Sequence, residues 1–401
     1  MHALSGNYHK TMTSVLNAIK VPFHRASLGE EEIQAVSEVL RSGWLTMGAK
    51  TFEFERRFAE YIGVRHAIAV SSCTAALHLS LETIGLQAGD EVLLPTTTFT
   101  ATAEVVTYLG ARPVFVDIDP VTMTMSSTDA KHRITTRTRA IIPVHFAGQP
   151  CDLSSLRDLA DAHGLHVIED AAHALPALYQ DQRIGTLSEL TAFSFYATKT
   201  LTTGEGGMIT TNNDAYAKRM QMMRLHGISR HAWNRYGAGG SWRYEVREAG
   251  YKYNLTDLQS AIGVVQLSKC DQMNRGRKRI AEFYSSALAK LEAVEVPEVL
   301  PDRQSSWHLY VLRLRLDRLR ITRDRFIEEL DQRGVSASVH FIPLHLQPYY
   351  QEQFGYKPGD FLQAELAYSR CLSLPIYPGM SDEETEHVIQ AVSDIVQQWT
   401  K

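Results

Sequence analysis

No apolar run in the sequence approaches the roughly 20 residues that span a bilayer. The first 20 residues mix His, Lys, Asn and Thr without a hydrophobic segment, so neither a membrane anchor nor a secretory signal is expected. Residues 1–20 read instead as a loose leader. Cysteine is scarce as well: Cys73, Cys151, Cys270 and Cys371 lie far apart and form no C-x-x-C pair. Neither a disulfide framework nor a zinc or other metal site is indicated, and a reducing, cytoplasmic compartment fits. An excess of one charge is also missing. With 41 Lys plus Arg against 45 Asp plus Glu, a net charge of -4 exerts no general pull on nucleic acid or an anionic membrane, so any anionic ligand must be held locally. Internal repeats and low-complexity tracts are absent.

What remains is an ordinary globular composition, 44% hydrophobic and 21% charged, over 401 residues, enough for two or three domains' worth of core. A helix is expected over residues 29–41, with Glu30, Glu31 and Glu32 in its first turn and Gly43 as its stop. Short apolar strands then alternate with helical patterns, at residues 67–70, 91–94, 114–117, 140–144, 166–169, 192–195 and 208–211. They lack polar alternation, as expected of strands buried on both faces. The fold class implied is α/β, a doubly wound, mostly parallel sheet covered by helices, with ligands at the carboxyl ends of its strands. After a helical 257–267 the chain changes character: a basic stretch at 274–279 leads into a further helix, and a proline-containing linker follows at 295–301. The division expected is a large domain over 21–267 and a smaller C-terminal α/β domain over 268–401. The latter should hold a strand (308–316), a helix (323–333) stopped by Gly334, and a terminal helix opened by a Ser381/Glu384 capping box. The terminal helix gathers Val388, Ile389, Val392, Ile395, Val396 and Trp399 on one face, expected to be buried.

The chemistry converges on residues 193–207. A short strand delivers Lys199 into small and hydroxyl-bearing neighbours, Ser194 precedes it by five positions, and Gly204, Gly206 and Gly207 then turn the chain. Partial burial would lower the lysine pKa and suit it to Schiff-base chemistry beside a phosphate-bearing cofactor, although an exposed lysine near a turn fits the same letters. At residues 71–77 a strand passes through Ser72, Cys73, Thr74 and Ala75 straight into a helix, which is either an anion cradle or plain N-capping. Asp170 follows a strand and could pair with a protonated pyridine nitrogen, or cap a turn. Phe99, past the strand at 91–94, could stack on a planar cofactor or belong to the core. Cradle, acid, aromatic and amine all fall at strand carboxyl ends of one sheet.

These motifs resemble the DegT/DnrJ/EryC1/StrS sugar aminotransferase family, from about residue 21 to 397. The resemblance implies a fold-type I transferase dependent on pyridoxal 5'-phosphate (PLP). The family's S-F-x-x-x-K followed by G-E-G-G lies on residues 194–207, making Lys199 the Schiff-base lysine and Ser194 a phosphate ligand. Its E-D-A-A-H-A lies on residues 169–174, with Asp170 on the pyridine nitrogen and His173 beside the ring's phenolic side. The phosphate loop falls on residues 72–75, where Cys73 replaces the usual Gly while Thr74 and Ala75 still fit, and Phe99 takes the ring-stacking position. Further matches are Ser42-Gly43-Trp44-Leu45-Thr46, His226-Gly227 and residues 250–257. In the last, Asn254 is implied to reach the cofactor phosphate of a neighbouring subunit, hence an obligate homodimer with shared sites. The Tyr251-Lys252-Tyr253-Asn254 wording is most similar to the branch that makes UDP-linked 4-amino-4-deoxy-L-arabinose.

The activity implied is ping-pong transamination, with L-glutamate as amino donor and a nucleotide-linked keto-sugar, 4-keto preferred, as acceptor. Thr46, Arg230, His340 and His345 would contribute to the substrate side, together with Phe341. The Arg- and aromatic-rich stretch at 226–246 could be a flap over the sugar nucleotide or a solvated loop. Two rivals share the fold: the family's PLP-dependent sugar dehydratases, which carry His where this chain has Lys199, and a non-catalytic regulatory protein, which would have no need of Asp170 and Lys199.

Overall fold

A computed structural model describes residues 19–228 and 244–401. The expected leader, up to residue 18, and the middle of the 226–246 stretch lie outside these residues. A seven-stranded sheet carries the N-terminal two thirds. Its strands are β1 (His66–Val70), β2 (Glu91–Pro95), β3 (Arg112–Val116), β4 (Thr138–Ile141), β5 (His166–Asp170), β6 (Leu190–Ser194) and β7 (Gly207–Thr211), in the spatial order β1-β7-β6-β5-β4-β2-β3. Every neighbouring pair from β6 through β5, β4 and β2 to β3 is parallel, while β7 runs antiparallel to both β1 and β6. The missing polar alternation is explained by where the side chains go. Ile68, Val70, Leu94, Ile168 and Ile209 enter one apolar cluster, and Ala67, Ala69, Leu93, Val167 and Met208 enter another on the opposite face.

Helix α1 (Glu30–Ser42) starts after Gly29 and stops at Gly43, whose φ of 74° is left-handed. Helix α2 (Ala49–Ile62) has no capping side chain of its own. The Asp257 carboxylate takes that part, accepting the amides of Gly48 (2.7 Å), Lys50 (3.1 Å) and Thr51 (2.9 Å) and the Thr51 hydroxyl (2.8 Å). Helix α3 (Cys73–Thr83) follows β1 directly, and α4 (Ala101–Tyr108) follows β2.

The two helical segments expected on either side of residue 268 are one helix, α5 (Asp257–Leu288), of 32 residues. Nothing between them breaks a helix except Gly276, which alone costs about 1 kcal/mol. It sits where the backbone of Pro378 approaches, so that a Cβ would lie 3.1 Å from the Pro378 carbonyl oxygen. The C-terminal part adds a three-stranded antiparallel sheet of β8 (Val294–Glu295), β9 (Tyr310–Leu314) and β10 (Cys371–Leu374), with helices α6 (Arg323–Gln332) and α7 (Asp382–Trp399). Ser381 and Glu384 form the capping box of α7, and its Val388, Val392, Ile395 and Val396 are buried with Tyr284, Tyr310 and Phe326. Val21 joins this C-terminal core and pairs by backbone with Gly334 and Ser336. Among the described residues no helix is long and apolar enough to cross a membrane.

Candidate active site

The carboxyl ends of β1, β2, β4, β5 and β6 surround a cavity of about 450 Å³, closed on another side by His308, His340 and Phe341 of the C-terminal part. Thr74, Phe99, Asp170, His173, Ser194, Lys199 and His340 all line it. Seven positions spread over 267 residues of chain thus meet in one space.

The cradle is built at the β1–α3 junction. The Ser72 hydroxyl caps α3 by accepting the Ala75 amide at 3.0 Å, so Ala75, expected to help hold the cofactor, is buried with its amide given to the cap and does not line the cavity. The amides of Cys73 and Thr74 are left without intrahelical partners at the positive end of the helix. Strand β7 runs against this turn so closely that a Cβ on Gly207 would stand 2.4 Å from the Ser72 carbonyl oxygen. Only glycine allows that approach. Cys73 keeps the helix start intact, and its thiol, with Asp170 among the charges around it, is pushed well up, chiefly by burial.

Asp170 ends β5 with its side chain 5% exposed. Its carboxylate accepts the Thr102 hydroxyl (2.8 Å) and the Ala172 amide (3.1 Å). Because Thr102 donates to Asp170, the Thr98 hydroxyl, 2.8 Å away, must donate to Thr102, giving a relay of threonines into the acid. Burial pushes the Asp170 carboxyl up, while these bonds and the charge of Lys199 oppose it. Lys199 follows β6. Burial lowers its amine to about 8, against the opposing pull of Cys73 and Asp170, so roughly a tenth is free base at pH 7, far more than for an ordinary lysine.

His173 accepts the Ala147 amide at Nδ1 (3.3 Å), which puts the ring proton on Nε2. Burial holds its pKa well below the usual value, assisted by the charge of Lys199. Its ring lies 4.2 Å from that of His308 and 6.1 Å, near parallel, from Phe341, which in turn meets Phe99 at 6.0 Å. Phe99 is 59% exposed, its face open above the cavity.

Three further expected site residues stand elsewhere in this chain. Asn254 pairs with Val70 by backbone, and its side chain accepts from Lys252 (2.6 Å) rather than lining the cavity. Thr46 is exposed before α2, where its carbonyl meets the Asp257 amide. His345 is buried with both ring nitrogens engaged, by Thr96 (2.8 Å) and Glu365 (2.9 Å); it ties β2 to the C-terminal part and does not reach the cavity. Arg230 lies outside the described residues. Sequence reasoning missed Thr102 and His308. The i, i+4 spacing of Thr98 and Thr102 at a helix start was a usable signal, whereas nothing in the sequence singled out His308.

The sequence profile of the DegT/DnrJ/EryC1/StrS aminotransferase family matches residues 26–393. The chain is 48% identical to the spore coat polysaccharide biosynthesis protein SpsC of Bacillus subtilis, over 94% of this chain and 97% of that one. Among solved structures, Spr1654 of Streptococcus pneumoniae in its PLP form superposes with a TM-score of 0.88 at 32% identity, covering 95% of this chain and 99% of the other. Helicobacter pylori PseC, an aminotransferase involved in the biosynthesis of pseudoaminic acid, gives 0.88 at 29% identity, covering 95% and 100%.

The residues present fit PLP. Backbone amides at a helix start and the hydroxyls of Ser72, Thr74 and Ser194 suit a phosphate, a buried carboxylate suits a protonated ring nitrogen, and a depressed amine suits an aldehyde. The close pass of Gly207 leaves the cradle no room for a side chain.

Proposed function

The chain belongs to the DegT/DnrJ/EryC1/StrS aminotransferase family, and from that membership we propose that it moves the amino group of L-glutamate to the ketone of a nucleotide-linked sugar, a 4-keto sugar in preference to a 3-keto one. The products are an amino-sugar nucleotide and 2-oxoglutarate. Its cofactor is PLP. The observation that carries the reading is the meeting of a depressed lysine amine, a buried carboxylate and an anion cradle in one cavity. Nucleotide sugars as substrates are supported by relatives that serve spore coat polysaccharide and pseudoaminic acid biosynthesis.

When bound, PLP supplies a carbonyl that exchanges amines and a ring that accepts electron density from the carbon losing its proton. The chain's residues do the rest. Lys199, near neutrality in pKa, takes and returns a proton at Nζ without a large penalty either way. Asp170, steadied by Thr102 and Ala172, would be the ionic partner that keeps the ring nitrogen protonated. The Cys73 and Thr74 amides would hold the cofactor phosphate, and His173, with its proton on Nε2, would be a hydrogen-bond donor to the cofactor. His340 and Phe341 border the substrate side. Asn254, which does not line this chain's own cavity, serves the site of a second copy in a homodimer.

The test is turnover by the purified protein with glutamate and a panel of UDP- and dTDP-linked 3-keto and 4-keto sugars. Amination of one panel member is expected, and its loss by about 10³-fold or more in Lys199→Ala. A yellow protein that glutamate converts but that aminates nothing in the panel discards the acceptor. A colourless protein inert to both discards the enzyme.

A further inference from the structure

One wall of the cavity is made of histidines with no acid among them. His308, His340 and Thr198 line the main cavity, and a smaller one of about 30 Å³ shares all three and adds His24. None of the residues lining the smaller space is acidic. His308 is 6% exposed and its Nδ1 has no hydrogen-bond partner.

A cation stands behind this wall. Arg277, on α5, is 1% exposed and makes no ion pair among the described residues. Its Nη1 donates to the carbonyls of Ile376 (2.7 Å), His308 (3.3 Å) and Trp307 (3.4 Å), and its Nε has no partner. Burial lowers the guanidinium only to about 10, so it stays charged at neutral pH. A buried cation whose acceptors are carbonyls alone is costly, and it leaves an uncompensated positive potential on the residues it holds. Two of those residues, His308 and Ile376, line the smaller space.

We infer that this wall, His24, His308 and His340 with Arg277 behind them, is the binding site for a carboxylate of the amino donor. The inference rests on the amine-transfer reading, since a donor amino acid must bring a carboxylate in when its amine reaches Lys199. His308 stacks on His173 at 4.2 Å, so the site adjoins the reacting groups. The positively charged and titratable groups facing the wall are His173 and Lys199 from the large sheet and Arg277 from α5.

Binding of a carboxylate here must be coupled to protons. His24 and His340 are held near 4 by burial, and His308 well below its usual value by burial and its cationic neighbours, so all three rings are neutral at rest. An arriving carboxylate favours their charged forms. Calorimetry of the holoenzyme with glutarate, a dicarboxylate that has no amine to transfer, in buffers of different ionisation enthalpy, is expected to show net proton uptake and an affinity that falls as pH rises from about 5 to 8. His308→Phe keeps the ring over His173 and is expected to weaken glutarate about tenfold and to reduce the uptake. Arg277→Met should weaken it further; if that variant does not fold, His308→Phe decides alone. Butyrate in place of glutarate tells which carboxylate is held: equal affinity means one carboxylate suffices, and much weaker affinity means that the donor's second carboxylate takes part. Wild-type affinity and proton uptake in His308→Phe overturn the site while leaving amine transfer from glutamate intact. Conversely, tight, proton-linked glutarate binding by a protein whose cofactor glutamate does not convert keeps the site and removes glutamate as donor.

Discussion

Glu169 and Asp170 are consecutive, both on β5, and both buried, at 0% and 5% exposure. Successive side chains of a strand leave by opposite faces, and here the two faces lead to different chemistry. Glu169 enters the closed interior. It accepts His145 Nε2–H at 2.8 Å and the Thr191 hydroxyl at 3.3 Å, while His145 Nδ1 accepts the Cys151 amide at 3.0 Å. That network is complete and lines neither of the cavities described above. Asp170 opens on the cavity with two donors of its own and Lys199 in electrostatic reach. Burial and an ionisable side chain therefore do not identify a functional acid. What separates the pair is free space: one carboxylate has its partners built in, and the other keeps room for a partner from outside.

Removing each carboxylate in turn puts that contrast to the sharpest test. Asp170→Asn should lower amination by roughly 10²- to 10³-fold with a small change in melting temperature, since its amide fills the same space, its oxygen can still accept the Ala172 amide, and the Thr102 hydroxyl must turn to accept from its NH2. Glu169→Ala should do the reverse, leaving His145 with an unpaired buried donor at a cost of about 1–3 kcal/mol in denaturant unfolding while kcat of the folded fraction holds. Equal activity losses in the two would erase the distinction. A smaller effect concerns the cavity's histidines. The folded pKa values of His24 and His340 lie near 4, below the usual 6.5, so the unfolded chain binds more protons between those values. Stability of the apoprotein is accordingly full above pH 6.5 and declines as pH falls from about 6.5 to 4. His340→Phe should flatten that slope in thermal melts, and an unchanged slope would assign it elsewhere. The smallest change, Thr102→Val, removes one donor from Asp170 and should raise its pKa, costing about tenfold or less in kcat, most visibly as a shift in the pH profile.

Much of this was legible in the sequence because short-range rules govern it. The strands betrayed themselves by lacking polar alternation, and both faces of the sheet are buried. Lys199, Asp170 and the Ser72–Ala75 turn each follow a strand, so the carboxyl-end rule gathered them without three-dimensional information. The histidine wall was not legible. His24, His308 and His340 come from separate stretches, and only the packing of the C-terminal part against the large sheet brings them together. His345 misled for the complementary reason: close in sequence to His340, it points into the interior, held by Thr96 and Glu365. The length of α5 was missed because a change in composition at residue 268 resembled a boundary, while a helix that passes between two environments changes composition without ending.

That helix has a mechanical consequence. At 32 residues it is a rod of roughly 48 Å, clamped at its start, where Asp257 gathers the amides of α2, and again about two thirds of the way along, where Arg277 grips the carbonyls of Trp307, His308 and Ile376. A tilt of one degree at one end displaces the other by about 0.8 Å, comparable to the tolerance that separates a productive from an idle arrangement of reacting groups. The alignment of the C-terminal histidines with Lys199 is thus a matter of stiffness in a lever as well as of local contacts, and substitutions far along its shaft become tuning screws for the site.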